Sequence, residues 1–196
     1  MSDEPSVEIF GVEHVKASRT PVYLGMILFL ISEAFLFGSL FATYYYLRAE
    51  TKVWPPAGVH LDTWLASINT FILLVSSGTI WWAGRAIRKG KESSLGIGLG
   101  LTIFLGVTFL GITLYEWTHV TFRPWTNAYG STFYTLTGFH ALHVFAGVIL
   151  MVSMLTRTLR HRFSSSNFLP IEVSSLYWHY VDFIWILVFT TIFIIT

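Results

Sequence analysis

Residues 22–47 read VYLGMILFLISEAFLFGSLFATYYYL, 26 residues whose single charged side chain, Glu33, lies near their centre. A helix rises about 1.5 Å per residue, so about 20 consecutive apolar residues carry it across the hydrocarbon core of a bilayer. This stretch is long enough to span. Four more follow at 64–84, 95–115, 129–156 and 173–196, of 21, 21, 28 and 24 residues, and Asp182 is the only other charged group within them. Together they account for 120 of the 196 residues. Composition agrees: 54% of the chain is hydrophobic, 17% aromatic and 12% charged, whereas a soluble domain carries about 25% charged residues. The expected fold is all-α, a polytopic membrane protein built as a five-transmembrane-helix bundle. Residues 22–196 form the membrane domain and residues 1–21 an N-terminal interfacial arm. The four connecting loops of 16, 10, 13 and 16 residues are too short for a soluble domain of about 50 residues.

Several function classes fall away. The net charge is +1, and no basic, aromatic-interleaved patch suggests nucleic acid as a partner. The chain has no cysteine, which removes disulfides, thiolate metal ligands and a catalytic thiol. The first 21 residues hold Asp3, Glu4, Glu8 and Glu13 against Lys16 and Arg19, an acidic start unlike that of a cleaved signal peptide.

Lysine and arginine set the expected orientation, because cytoplasmic loops retain them. One face carries Lys16, Arg19, Arg85, Arg88, Lys89, Lys91, Arg157, Arg160 and Arg162, and the other only Arg48, Lys52 and Arg123. Nine against three places the N-terminus inside and the C-terminus outside. The outer loops then hold Trp54-Pro55-Pro56 and Phe122-Arg123-Pro124-Trp125, with proline stopping helices and tryptophan at headgroup depth.

Polar groups within the spans require partners. An acid at the centre of a spanning helix costs about 2.5–3.5 kcal/mol on insertion scales. Glu33 lies about 21 Å below the outer end of its span, and His140 and His143 about 16 and 21 Å below the outer end of theirs. Depth favours His143, although the i, i+3 spacing puts both histidines on one helix face. A metal site made of these three side chains is the competing reading. His179 and Asp182 form a second i, i+3 pair, expected to pair with each other or with a neighbouring subunit. Glu116 and His119 form a third at the outer interface, with no chemistry assigned. Gly96 and Gly100, with Gly106 and Gly111 beyond, suggest close helix packing. Arg157, Arg160 and Arg162 suit anionic lipid headgroups, since arginine grips phosphate with two donors. Plain positive-inside topology accounts for them nearly as well.

Five motifs then occur in a fixed order: Ile31-Ser32-Glu33; Trp54-Pro55-Pro56-x-Gly58; Tyr129-Gly130-Ser131-Thr132-Phe133; Thr137-Gly138-Phe139-His140-Ala141-Leu142-His143-Val144; and Trp178-His179-x-Val181-Asp182-x-x-Trp185. From about Tyr23 to the C-terminus the chain resembles subunit III of the haem-copper oxidases, in its short five-helix form and on the cytochrome c oxidase branch. The resemblance implies a noncatalytic core subunit beside the haem-bearing subunit I, with subunit II also in the complex, in a redox-driven proton pump that reduces oxygen to water. It implies no cofactor in this chain, haems and copper in partner subunits, bound phospholipid, and cytochrome c as electron donor to the complex rather than to this chain. It also implies residence in a prokaryotic cytoplasmic membrane. Glu33 corresponds to the family's carbodiimide-reactive carboxyl, and the subunit is linked there to lipid binding, sustained proton uptake and durability of the active site. Longer members have seven helices, with lipids in a cleft between the first two and the other five; the match here starts at the third. Subunit III of a quinol oxidase and a nitric-oxide-reductase accessory protein are the related alternatives. A small proton-coupled transporter, with Glu33, His140 and His143 as its relay, is the alternative from another class, but inverted repeats and broken midplane helices are lacking.

Overall fold

Each apolar stretch forms a helix, and all but the last run past it at both ends, because the flanking polar residues reach headgroup and water while the backbone stays hydrogen-bonded. In a computed structural model that describes residues 19–163 and 167–195, α1 spans Arg19–Glu50, α2 Thr63–Arg88, α3 Glu92–His119, α4 Ala128–Leu159 and α5 Leu169–Phe189, which continues as a π-helical turn at Thr190–Ile194. All five are long and apolar enough to cross a membrane. The interfacial arm expected over residues 1–21 lies almost wholly outside the described residues.

Local chemistry sets the helix ends. Asp62 Oδ1 accepts from the Leu65 amide at 3.0 Å and Asn127 Oδ1 from the Gly130 amide at 2.7 Å, each satisfying an N–H that the first turn leaves without a partner. Gly90, at φ +70°, closes α2, with the Gly90 and Lys91 amides donating to Ile87 O and Ala86 O. Only glycine enters that left-handed region at no steric cost.

Paired side chains show an up-and-down arrangement. Asn69 and Thr79 of α2 meet Thr113 and Thr102 of α3, and Arg88 and Ser77 of α2 meet Glu172 and Asp182 of α5. Consecutive helices therefore run antiparallel, while α1 and α5 run parallel, tied by Tyr23 to Glu172 at one end and Tyr45 to Thr191 at the other. Helices α2, α3, α4 and α5 close a four-membered ring, and α1 lies outside it in the groove between α4 and α5. All of the lysines and arginines at the C-terminal ends of α2 and α4 gather at one end, here the basic end.

One side chain fills the ring. Trp178 of α5 is fully buried, and its indole crosses to all three other helices. Nε1 donates to Ser76 Oγ of α2 at 3.0 Å, and the six-membered ring lies where a Cβ on Gly106 of α3 or Gly147 of α4 would come within 2.8 Å. Two glycines make the notch for one tryptophan. Gly98 performs a similar service between α2 and α3, since a Cβ there would be 2.7 Å from Ala83 Cβ. The tight approaches thus fall at Gly98 and Gly106. Of the G-x-x-x-G pair singled out from sequence, Gly96 makes only an ordinary contact with Thr158, and Gly100 faces open space. The reason is facial: 98 and 106 share the inward stripe of α3 with buried Leu95, Leu99, Thr102 and Phe109, and 100 lies off it.

Gly147→Ala is expected to lower stability by about 1–3 kcal/mol, the usual cost of overpacking a filled core, whereas Gly100→Ala is expected to be neutral. Thermal unfolding in detergent checks both, and equal behaviour of the two variants would contradict the notch.

Candidate functional site

The intramembrane polar groups are positioned by helix register, so their geometry follows from the packing just described. Glu33 projects from α1 towards α4, and its Oε2 lies 2.8 Å from His143 Nε2. Both side chains are largely enclosed, 17% and 14% exposed. The other imidazole nitrogen is also engaged: Nδ1 lies 2.7 Å from the Phe139 carbonyl. A carbonyl only accepts, so Nδ1 carries a hydrogen. The Glu33–His143 contact then holds one shared proton, either on the carboxyl donating to a neutral ring or on an imidazolium donating to a carboxylate. The Phe37 ring packs edge-on against His143 at 5.0 Å, and Tyr177 Oη donates to the His143 carbonyl at 3.0 Å. Helices α1, α4 and α5 meet at this one residue.

His140 does not join them. It is completely buried, between the Phe109 and Trp185 rings at 5.6 and 4.8 Å, and neither nitrogen has a hydrogen-bond partner among the described residues. Residues three apart on a helix differ by about 60° in direction, and at the edge of α4 that angle separates a side chain facing α1 from one facing the ring. The shared face expected for the two histidines is divided by the groove in which α1 sits.

His179 and Asp182 are brought together through a third residue. Ser77 of α2 donates to Asp182 Oδ2 and lies 2.9 Å from His179 Nδ1. The expected direct pair is a bridged one, because the face of α5 that carries both points at a hydroxyl on α2. Glu116 and His119 both border a small cavity at the end of α3, with His60 and Asp62. Glu116 is buried there, 5% exposed, and His119 stacks on Tyr115 with ring centroids 3.9 Å apart. At the basic end the Arg157 guanidinium lies over the Phe163 ring at 5.2 Å, His161 pairs with Glu92 at 2.8 Å, and Arg160 and Arg162 are exposed.

Two clusters were missed in the sequence. Arg88 pairs with Glu172 at 2.7 Å while Tyr23 donates to the same carboxylate, joining α2, α5 and α1. At the opposite end Tyr44 Oη donates to the Thr191 carbonyl and accepts from Trp54 Nε1 at 3.0 Å. The Tyr44-Tyr45-Tyr46 run at the same depth as Thr190-Thr191 carried that signal. For metal binding the donor set is poor. His143 has both nitrogens engaged, and among the described residues no three His, Asp or Glu side chains gather to hold an ion.

The profile of the family described as cytochrome c oxidase subunit III matches residues 4–196. The chain belongs to the cytochrome c oxidase subunit III family. Similar members include cytochrome c oxidase subunit 3 of Thermostichus vulcanus, 37% identical over 95% of this chain and 93% of its own length. That of Synechocystis is 36% identical over 87% and 74%, and that of Equus caballus 35% identical over 94% and 73%. A subunit III is part of a haem-copper terminal oxidase, so this chain is an integral membrane protein that assembles with other oxidase subunits.

Glu33→Gln is expected to keep the α1–α4 tie, because the amide donates to His143 Nε2. Glu33→Leu leaves that nitrogen unpaired at a cost of about 1–3 kcal/mol. Retention of the subunit in the purified oxidase on warming distinguishes them, and equal loss of the two variants would contradict a hydrogen-bonded tie.

Proposed function

We propose that this chain is a noncatalytic bracing subunit of a cytochrome c oxidase, packed beside the haem-bearing subunit I and with subunit II in the same complex. It supports the stability, lipid occupancy and proton uptake of subunit I in redox-driven proton translocation, and carries no electrons itself. The observation that carries this reading is the closed Glu33–His143 pair. Its donors are spent on each other and on the backbone, so its chemistry is that of a tie between helices. The apolar outward face of α1, with Leu24, Leu28 and Phe35 exposed, supports a partner or lipid against it. Cytochrome c donates to the complex elsewhere, not to this chain.

The basic end faces the cytoplasm, with the N-terminus inside, in the cytoplasmic membrane of a prokaryote. The charge asymmetry of the loops supports this orientation. There Arg157, Arg160 and Arg162 hold anionic lipid headgroups. Arg160 and Arg162 are exposed, and the Arg157 guanidinium is held over Phe163 at the membrane boundary, a placement that suits phosphate contacts.

Glu33→Gln in an assembled oxidase is expected to leave initial oxygen reduction close to that of the wild type. Abolished turnover would overturn the noncatalytic reading. Arg157→Ala is expected to lower the phospholipid that co-purifies with the complex, and unchanged lipid would reduce the cluster to a topology signal.

A further inference from the structure

A cavity of about 370 Å³ lies at the basic end between α1, α2 and α5. Arg85, Arg88, Glu172 and Tyr23 line it together with Trp81, and Ser175 and His179 border it as well. From that border hydrogen-bonding groups continue inward. Ser175 Oγ is 3.3 Å from His179 Nε2, His179 Nδ1 is 2.9 Å from Ser77 Oγ, and Ser77 donates to Asp182 Oδ2. Asp182 is only 4% exposed, and its other oxygen, Oδ1, is buried with no partner among the described residues.

We propose that Ser175, His179 and Ser77 form a proton relay joining this cavity to Asp182, which serves as a proton-exchange site inside the bundle. The directions of donation are consistent along the path. Ser77 spends its hydrogen on Asp182, so it accepts from His179, whose Nδ1 must be the protonated nitrogen. The Nε2 lone pair then accepts from Ser175 on the cavity side. Every donor points at Asp182.

The transfer balances with protons alone. A hydronium in the cavity gives one proton to Ser175 Oγ, whose own hydrogen passes to His179 Nε2. The Nδ1 hydrogen passes to Ser77 Oγ, and the hydrogen already on Ser77 forms the O–H bond of Asp182. Rotation of the two hydroxyls and return of the imidazole to its first tautomer reset the path. No electron moves and no co-reactant is consumed.

A purely structural acid at this depth would be expected to have both oxygens satisfied, since an unpaired polar atom in hydrocarbon is costly. Asp182 leaves one open, and its partnered oxygen leads to a cavity rather than to a closed network. Charged groups beside the entry come from α2, as Arg85 and Arg88, and from α5, as Glu172 paired with Arg88. Tyr23 of α1 contributes a hydroxyl. The relay rests on the packing of α2 against α5, so it goes beyond the bracing role and does not depend on it.

Hydrogen–deuterium exchange of the Asp182 carboxyl tests the relay in the whole oxidase complex reconstituted in lipid nanodiscs. In mildly acidic buffer, the carboxyl stretch is followed by infrared spectroscopy after mixing with D2O, and the Asp182 band is assigned by its loss in Asp182→Asn. The wild-type band is expected to shift promptly. In Ser77→Ala and in His179→Phe it is expected to persist and to shift about tenfold more slowly or slower still, the effect of raising a barrier by one hydrogen bond. Ser77→Thr, which keeps the hydroxyl, is expected to restore the wild-type rate. Equal exchange rates in the wild type and in whichever of Ser77→Ala and His179→Phe assembles would overturn the proposal, as would the absence of any Asp182 carboxyl band. Oxygen reduction measured on the same samples reports separately on the bracing role.

Discussion

A polar side chain in hydrocarbon has to be answered by another helix, and that requirement fixes the register of this bundle. Lipid tails are as apolar as leucine, so apolar area alone discriminates poorly between one helix rotation and the next. The polar ties discriminate well. Asn69 reaches Thr113, Thr79 reaches Thr102, and Trp178 and Trp185 donate to Ser76 and Thr70. Each joins two helices at one depth. Rotating either helix by one residue would leave a donor or acceptor unanswered, which is costly in hydrocarbon.

The same constraint explains why α1 differs from the other four. Only 11% of its most apolar window is buried, compared with 56% for α5, so packing holds it weakly and discrete ties hold it in place. Those ties are spread along its length: Tyr23 to Glu172 at the basic end, Glu33 to His143 at the middle, and Tyr44 and Tyr45 to Thr191 at the far end. A helix fastened at three heights can present its outer face to lipid or to another oxidase subunit without leaving the bundle. This gives a physical role to an acid whose insertion is otherwise unfavourable.

Much of this was legible before any coordinates. Runs without charge located all five helices, because length and hydropathy are one-dimensional properties. Depth is legible too: rise per residue favours His143 over His140 as the partner of Glu33. Azimuth is not. Whether His140 shares the direction of His143 depends on where α1 lies around α4, and nothing in the spacing encodes that angle. For the same reason the bridge by Ser77 between His179 and Asp182 was invisible: serine is common in spanning helices, and only the facing of α2 against α5 singles this one out. The glycine notch for Trp178 was missed in the same way, since Gly106 and Gly147 are 41 positions apart in the chain and meet only through an indole from a third helix.

The central claim is that cross-helix polar ties, with Glu33–His143 at their middle, fix α1 against the ring in addition to its apolar contacts. A double-mutant cycle on Glu33 and His143 tests it most directly, using Glu33→Ala, His143→Ala and their combination, with detergent-driven unfolding of the chain within the oxidase as the readout. The account predicts a coupling energy of roughly 0.5–2 kcal/mol, in the range measured for hydrogen bonds between membrane helices. Strictly additive single effects would contradict it.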